Sequence, residues 1–189
     1  GGDTVVYFNG KILGKPKSEE DACDMLKELQ NKLGLTYVFI SHDLSVVKYI
    51  TDSILVMYLG NMMELGNTDD LFDNPLHPYT KALFSAVPVP DPDVKHERII
   101  LSGDIPSPAN PPKGCKFHTR CAECMDVCRF KEPQFLEVTP EHFVACHLYD
   151  KEVMANLGKY SEEYQEILRQ EEEAKREAEE KKHKFGKKA

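Results

Sequence analysis

Most of the chain's 12 prolines fall between Pro75 and Pro112, and no other feature limits the fold as much. Proline fixes φ and has no amide proton for a sheet ladder. This stretch is therefore expected to wrap over a surface, with one helix at about Tyr79 to Ala86, rather than to supply a central strand. Upstream, helices and strands alternate. Val5 to Phe8 and Lys11 to Leu13 read as a hairpin around Asn9-Gly10. Ser18 and Asp21 form a capping-box start, the apolar positions Ala22, Met25, Leu26, Leu29 and Leu33 follow at helical spacing, and Gly34 is the stop.

Thr36 to Ile40 is nearly all apolar, as expected for a strand buried on both faces of a parallel sheet. Leu44 to Ile50 reads as a short helix and Ser53 to Leu59 as a second buried strand. Gly60-Asn61 turns into Met62 to Leu65, and Asp69 to Phe72 makes a helical turn before Asn74-Pro75. Downstream, the cysteine-rich segment runs from Gly114 to Leu148. Lys151 to Lys188 is helix-prone, with an apolar stripe of Val153, Leu157, Tyr160, Tyr164, Ile167 and Leu168. Beyond Arg169 the stripe gives way to charge, and residues from Glu171 onward are expected to be a solvated, fraying helix or disordered.

With 189 residues, 41% of them hydrophobic, there is room for one ordinary domain plus appendages. No apolar run approaches the ~20 residues of a membrane helix. No secretory leader opens the sequence, so a cytoplasmic location is expected. In that reducing compartment, metal binding or packing accounts for six cysteines better than disulfides do. A formal net charge of −8 argues against a general grip on nucleic acid, which needs a basic face.

His42 follows the apolar run Thr36 to Ile40, at the kind of strand end where open sheets bind ligands. From there an imidazole can donate to a phosphate oxygen. An ordinary capping or packing histidine is the alternative. Ser41, His42 and Asp43 also supply the residue types of a hydrolase triad, but adjacent residues on a turn point apart. The segment from Thr36 through Val47, continuing into Val56-Met57-Tyr58-Leu59-Gly60, resembles the switch-histidine region of ABC ATPases. The resemblance implies that His42 senses the γ-phosphate of ATP.

Asn74-Pro75-Leu76-His77-Pro78-Tyr79-Thr80-Lys81-Ala82-Leu83, with Gly103-Asp104-Ile105-Pro106-Ser107-Pro108 and Pro111-Pro112, resembles the segment that follows the nucleotide-binding core in oligopeptide and dipeptide importers. The likeness covers about Leu35 to Leu148. It implies a subunit at the inner face of the cell membrane, paired with a second ATP-binding subunit, acting on membrane permeases and served indirectly by a substrate-binding protein. ATP and magnesium belong to a complete member of that family. For the proline-histidine stretch itself, a rigid linker docking the C-terminal module is the expectation.

Five residues separate Cys115 from Cys121, six separate Cys121 from Cys128, and seventeen separate Cys128 from Cys146. Four soft thiolates favour zinc or an iron–sulfur cluster. The importer resemblance implies that Cys115, Cys121, Cys128 and Cys146 hold a 4Fe-4S cluster. Cys124 departs from that pattern and makes a Cys-x-x-Cys pair with Cys121, which keeps zinc or another ligand set open. A metal needed simply for folding is compatible with either. His118, His142 and His147 are read as surface residues rather than as donors behind the ligands, and Cys23 as a small packing residue.

The importer resemblance fails before about Leu33. These residues contain no glycine-rich loop ending in Gly-Lys-Ser/Thr, no magnesium carboxylate and no signature loop, so an autonomous ATPase is not expected. Asp3-Thr4-Val5-Val6, Gly10 to Lys17 and Glu19 to Ala22 resemble instead an internal piece of the Maf-type nucleotide pyrophosphatases, which implies site roles for Asp3 and Lys15. That family's other active-site segments are missing.

The expected fold is α/β: a truncated ABC-ATPase-like sheet segment, a small irregular Cys-rich module and a charged C-terminal helix. The expected segments are a hairpin-helix piece (1–33), the end of a nucleotide-binding domain (34–73), the importer C-terminal module (74–148) and the charged tail (149–189). A noncatalytic metal-binding or interaction module and a residual nucleoside triphosphate pyrophosphatase are the alternatives in function.

Overall fold

The computed structural model describes residues 6–8, 11–13, 17–34, 36–87 and 98–186. It divides into two compact units, Gly1–Asp52 and Ser53–Ala189.

In the first unit, β1 (Val6–Phe8) and β2 (Lys11–Leu13) pair antiparallel with Phe8 opposite Lys11. The expected Asn9-Gly10 turn between them lies outside the described residues. Helix α1 (Glu19–Leu33) begins as its sequence directs. Ser18 Oγ accepts the Asp21 N–H at 3.1 Å, while Asp21 Oδ2 accepts the Lys17 N–H at 2.9 Å. The helix stops at Gly34, whose φ of 63° lets its N–H reach the Gln30 carbonyl at 2.8 Å. Helix α2 (Leu44–Ile50) is capped by Asp43.

The strand expected at Thr36 to Ile40 is not formed. These residues lie in irregular backbone and are exposed, Val38 at 88% and Ile40 at 93%. An all-apolar strand is stable only with ladder partners on both edges and cover on both faces. No strand among the described residues pairs with this one.

The second unit is built on a four-stranded antiparallel sheet of order β3-β4-β6-β5. Its strands are β3 (Ser53–Tyr58), β4 (Asn61–Asn67), β5 (Phe135–Thr139) and β6 (His142–Ala145). The parallel arrangement expected for Ser53 to Leu59 is therefore corrected. Leu59 and Gly60, with φ of 47° and 76°, form a two-residue connection that sets Tyr58 opposite Asn61. So short a link can join only antiparallel neighbours. Nor is β3 buried on both faces: Ile54, Val56 and Tyr58 point inward while Leu55 and Met57 are exposed.

The sheet closes over long sequence separation, with Glu64 opposite Val144 and Leu65 opposite Phe143. Helices α3 (Thr68–Asp73) and α4 (Pro78–Phe84) follow the first hairpin, and Phe72 stacks on Phe84 with centroids 4.4 Å apart. Leu71 and Val144 are fully buried, and Phe117, Val127 and Val153 nearly so. Burying such side chains contributes roughly 1.5–3 kcal/mol each.

After the short helix α5 (Val127–Phe130) and the β5–β6 hairpin come α6 (Lys151–Ala155) and α7 (Leu157–Gly186). The expected stripe anchors the start of α7. Tyr164 stacks on Phe130 at 6.1 Å, Lys131 Nζ donates to Tyr160 Oη at 2.9 Å, and Ser161 Oγ donates to Asp126 Oδ2 at 2.5 Å. From Glu171 to Glu180 the helix is exposed on all sides. Among the described residues no helix is long and apolar enough to cross a membrane.

Candidate functional site

The proline-histidine segment is held at both sides of its backbone. The Glu64 carboxylate, on β4, is fully buried and accepts the N–H of Leu76 at 2.7 Å and of His77 at 2.9 Å. His142 Nε2, on β6, lies 2.7 Å from the same carboxylate. Tyr149 Oη donates to the Leu76 carbonyl at 3.0 Å from beyond the cysteine segment. Prolines at 75 and 78 have no amide to satisfy, so the two amides between them carry the attachment.

His77 caps α4 through Nδ1, which accepts the Tyr79 N–H at 3.0 Å. Burial lowers its pKa to about 4, against opposing attraction from Glu64 and with a smaller contribution from Lys81. A neutral ring is what a nitrogen acceptor requires. Its face meets Phe117 at 5.7 Å, and Phe117 also meets Tyr58 and Tyr79, each at 5.3 Å. Phe117, between Cys115 and Cys121, ties this aromatic cluster to the first cysteine loop.

That loop approaches α5 closely. The Cys115 N–H donates to the Cys128 carbonyl at 2.8 Å. Gly114 has a φ of 62°, and a Cβ there would lie 2.4 Å from the Cys128 oxygen, so only glycine fits. Cys121 follows a 3-10 turn at His118–Arg120, and Cys146 leaves β6 just before another at His147–Tyr149. The two hairpin strands of the cysteine region thus serve to bring Cys146 back to the first loop.

All six cysteines are free thiols. Cys115 and Cys128 are buried, Cys121 and Cys146 half-buried. Burial pushes the Cys121 thiol up to about 11 and those of Cys128 and Cys146 up to about 12, and the neighbouring cysteines add to the rise. Cys115 is near enough to influence Cys121, Cys128 and Cys146 alike. Burial thus favours the neutral form of these thiols.

No three His, Cys, Asp or Glu side chains among the described residues converge closely enough to hold one metal ion. Cys124, half-buried, donates its thiol to the Met125 carbonyl at 3.6 Å.

The histidines of this region are not the surface residues expected. His142 is buried on Glu64, and His147 is buried with Nε2 3.0 Å from the Lys131 carbonyl. His118 is half-buried, its Nδ1 2.8 Å from the Cys115 carbonyl. Their ring nitrogens find partners only in residues far apart in sequence or in loop backbone, which periodicity does not reveal. Glu64 was missed altogether, although a lone carboxylate within the apolar run Met62 to Leu65 was a signal.

His42 belongs to the other unit, exposed on the bend before α2. Asp43 beside it uses its carboxylate to cap that helix, accepting from Ser45 and Val46, and is not oriented as a triad member. Cys23 is half-buried on α1, its thiol donating to the Tyr49 carbonyl at 3.5 Å. Asp3 and Lys15 lie outside the described residues.

Comparison with known proteins decides what this clamp and thiol group resemble. Residues 63–128 match the family described as the oligopeptide/dipeptide transporter, C-terminal region. That match starts beside Glu64 and ends on Cys128, so it takes in Glu64, Leu76 and His77 of the clamp, but not His142 or Tyr149, and every cysteine of the group except Cys146. The chain is 59% identical over 128 residues to the oligopeptide transport ATP-binding protein AppF of Bacillus subtilis, covering 67% of this chain and 39% of that protein. It is 52% identical over 125 residues to the oligopeptide transport ATP-binding protein OppF of Haemophilus influenzae, covering 65% of this chain and 38% of that protein. The chain thus spans about two fifths of the length of these relatives.

Proposed function

We propose that the chain carries the C-terminal part of an ATP-binding subunit that energises peptide import by an ABC transporter, and that its thiols hold a 4Fe-4S cluster. The observation that carries this reading is the coincidence of the transporter-family match with the Glu64 clamp and the thiol group. In this reading 34–73 is the end of the nucleotide-binding domain, 74–148 the importer module and 149–189 a charged tail. The first 33 residues are a separate hairpin-helix piece.

What supports a cluster is the donor type: Cys115, Cys121, Cys128 and Cys146 are free thiols at the spacing of the importer resemblance. Iron and sulfide fill the space between ligands in a polynuclear site, so its thiolates stand wider apart than those around zinc. Cys115, Cys121, Cys128 and Cys146 would be the ligands. When bound, the cluster supplies iron–thiolate bonds that tie the first cysteine loop, α5 and the end of β6 into one unit. Phe117, almost wholly buried, would exclude water from the loop that carries Cys115 and Cys121.

Nucleotide chemistry would need a phosphate-binding loop from outside these 189 residues, with His42 reaching the γ-phosphate from its exposed bend. Membrane permeases, a second ATP-binding subunit and, indirectly, a substrate-binding protein are the partners of this reading, at the cytoplasmic face of the cell membrane. Peptide uptake by cells whose ATP-binding subunit carries this segment in place of its own C-terminal region tests it. Uptake no higher than with the region deleted contradicts it, and ATP turnover by the 189 residues alone contradicts their dependence on an outside phosphate loop.

A further inference from the structure

Beyond Glu64, toward the Leu59-Gly60 connection, the four-stranded sheet splits. Strands β4 and β6 pair through Glu64–Val144 and Leu65–Phe143 and no further, so Met63 and Ala145, next in register, do not meet in the ladder. Each hairpin nevertheless continues, with Met57 opposite Met62 in one and Phe135 opposite Ala145 in the other. The register shift between Val56 and Met57 leaves Met63 as the extra residue on β4, and a bulge of this kind bends its strand. Between the hairpins lies a cavity of about 180 Å³ walled by Met62, Met63, Pro133, Phe135 and Ala145.

Lys116 and Glu132 line the same cavity and pair with each other at 2.5 Å. The Glu132 side chain is 69% exposed and that of Lys116 only 15%, so the acid marks the open side and the ammonium stands deeper. Lys116 Nζ also donates to the Pro112 carbonyl at 3.2 Å. Of its three N–H groups, one is thus without a partner among the described residues and is available to an anion. An apolar cavity of about 150 Å³ holds a benzene ring, so this one has room for a side chain of leucine to phenylalanine size. The two methionines in its wall adapt readily to the shape of an entering group.

We propose that the cavity binds a free α-amino acid with an apolar side chain of that size. The side chain fills the space beside Met63 and Phe135, the α-carboxylate takes the remaining Lys116 N–H, and Glu132 meets the α-ammonium. The zwitterion matches the Lys116–Glu132 pair charge for charge. A peptide sets only one of these charges beside an apolar terminal residue. The inference depends on neither the cluster nor the transport reading.

The test uses the full, reduced chain with isotopically labelled methionine methyl groups, titrated with L-phenylalanine. The Met62 and Met63 resonances, assigned through Met62→Leu and Met63→Leu, are expected to shift saturably with a Kd in the millimolar range, while Met25 and Met154 stay unmoved. Phenylalaninamide, which lacks the carboxylate, and L-alanine, which lacks the large side chain, are each expected to bind about tenfold more weakly. Lys116→Met should weaken phenylalanine binding by about tenfold. Glu132→Gln should weaken it by about threefold and leave hydrocinnamate, which has no ammonium, unchanged.

Absence of a saturable shift at tens of millimolar overturns the proposal, as does phenylalaninamide or glycyl-phenylalanine binding as tightly as phenylalanine. Should Lys116→Met disturb the first cysteine loop, Glu132→Gln still answers from its exposed position, because an equal loss for phenylalanine and hydrocinnamate also overturns it.

Discussion

Glu64 and His142, 78 positions apart in sequence, meet inside the second unit with 2.7 Å between carboxylate and Nε2. The carboxylate is wholly removed from solvent and also carries the amides of Leu76 and His77. Glu64→Ala would strand three buried donors at once. Removing one partner from such a buried network costs about 3–5 kcal/mol. Urea denaturation should show this as a lower midpoint at unchanged slope, and a loss below about 1 kcal/mol would remove Glu64 from the clamp.

His77 gives the fold a pH dependence of known sign. Its folded pKa of about 4 lies below the ordinary 6.5, so the unfolded chain binds the proton first as pH falls. Above 6.5 both states are neutral and the contribution is intact. Between 6.5 and 4 it is progressively lost, by up to about 3 kcal/mol. His77→Asn keeps a cap acceptor for the Tyr79 N–H but cannot titrate. The stability gap between wild type and this variant should therefore move against wild type from pH 7 to pH 4, and parallel pH profiles would contradict the assignment.

Gly114→Ala tests the approach of the first cysteine loop to α5. A Cβ at 2.4 Å from the Cys128 carbonyl, on a backbone with φ of 62°, must force the two cysteines apart. Overpacking of this kind costs about 1–3 kcal/mol. Anaerobic loading should fall severalfold while far-ultraviolet circular dichroism of the sheet and α7 persists. Full loading would show that the Cys115–Cys128 spacing is not critical.

Helix α7 is expected to behave as two stretches. The Tyr164 ring stacks on Phe130, with Arg129 lying 5.9 Å from its centroid, whereas Glu171 to Glu180 are exposed. Amides of 157–168 should exchange more slowly than those of 171–180. Tyr164→Ala should destabilise the docked stretch by about 1–2 kcal/mol and speed its exchange alone. Uniform exchange along α7 would contradict docking through Tyr164.

Elements governed by near neighbours were readable from sequence. Ser18, Asp21 and Gly34 bound α1 through contacts within four residues, and the stripe from Leu157 to Leu168 marks the docked part of α7. Thr36 to Ile40 was misread because an apolar run becomes a central strand only when other strands receive it. The β5–β6 hairpin carries little sequence signal, its strands being only Phe135–Thr139 and His142–Ala145. The four cysteines stand out in the sequence by residue type and spacing, but among the described residues no three His, Cys, Asp or Glu side chains gather as for a metal ion. Glu64, His142 and His147 were not legible, since each is explained by a partner brought near only by the closed sheet.

Anaerobic purification followed by iron, acid-labile sulfide and zinc analysis tests the central claim most directly. The thiol group predicts about four irons and four sulfides per chain, lost together in Cys115→Ser. Stoichiometric zinc without sulfide, or a wild-type chain that carries neither metal nor sulfide after anaerobic loading, would contradict it.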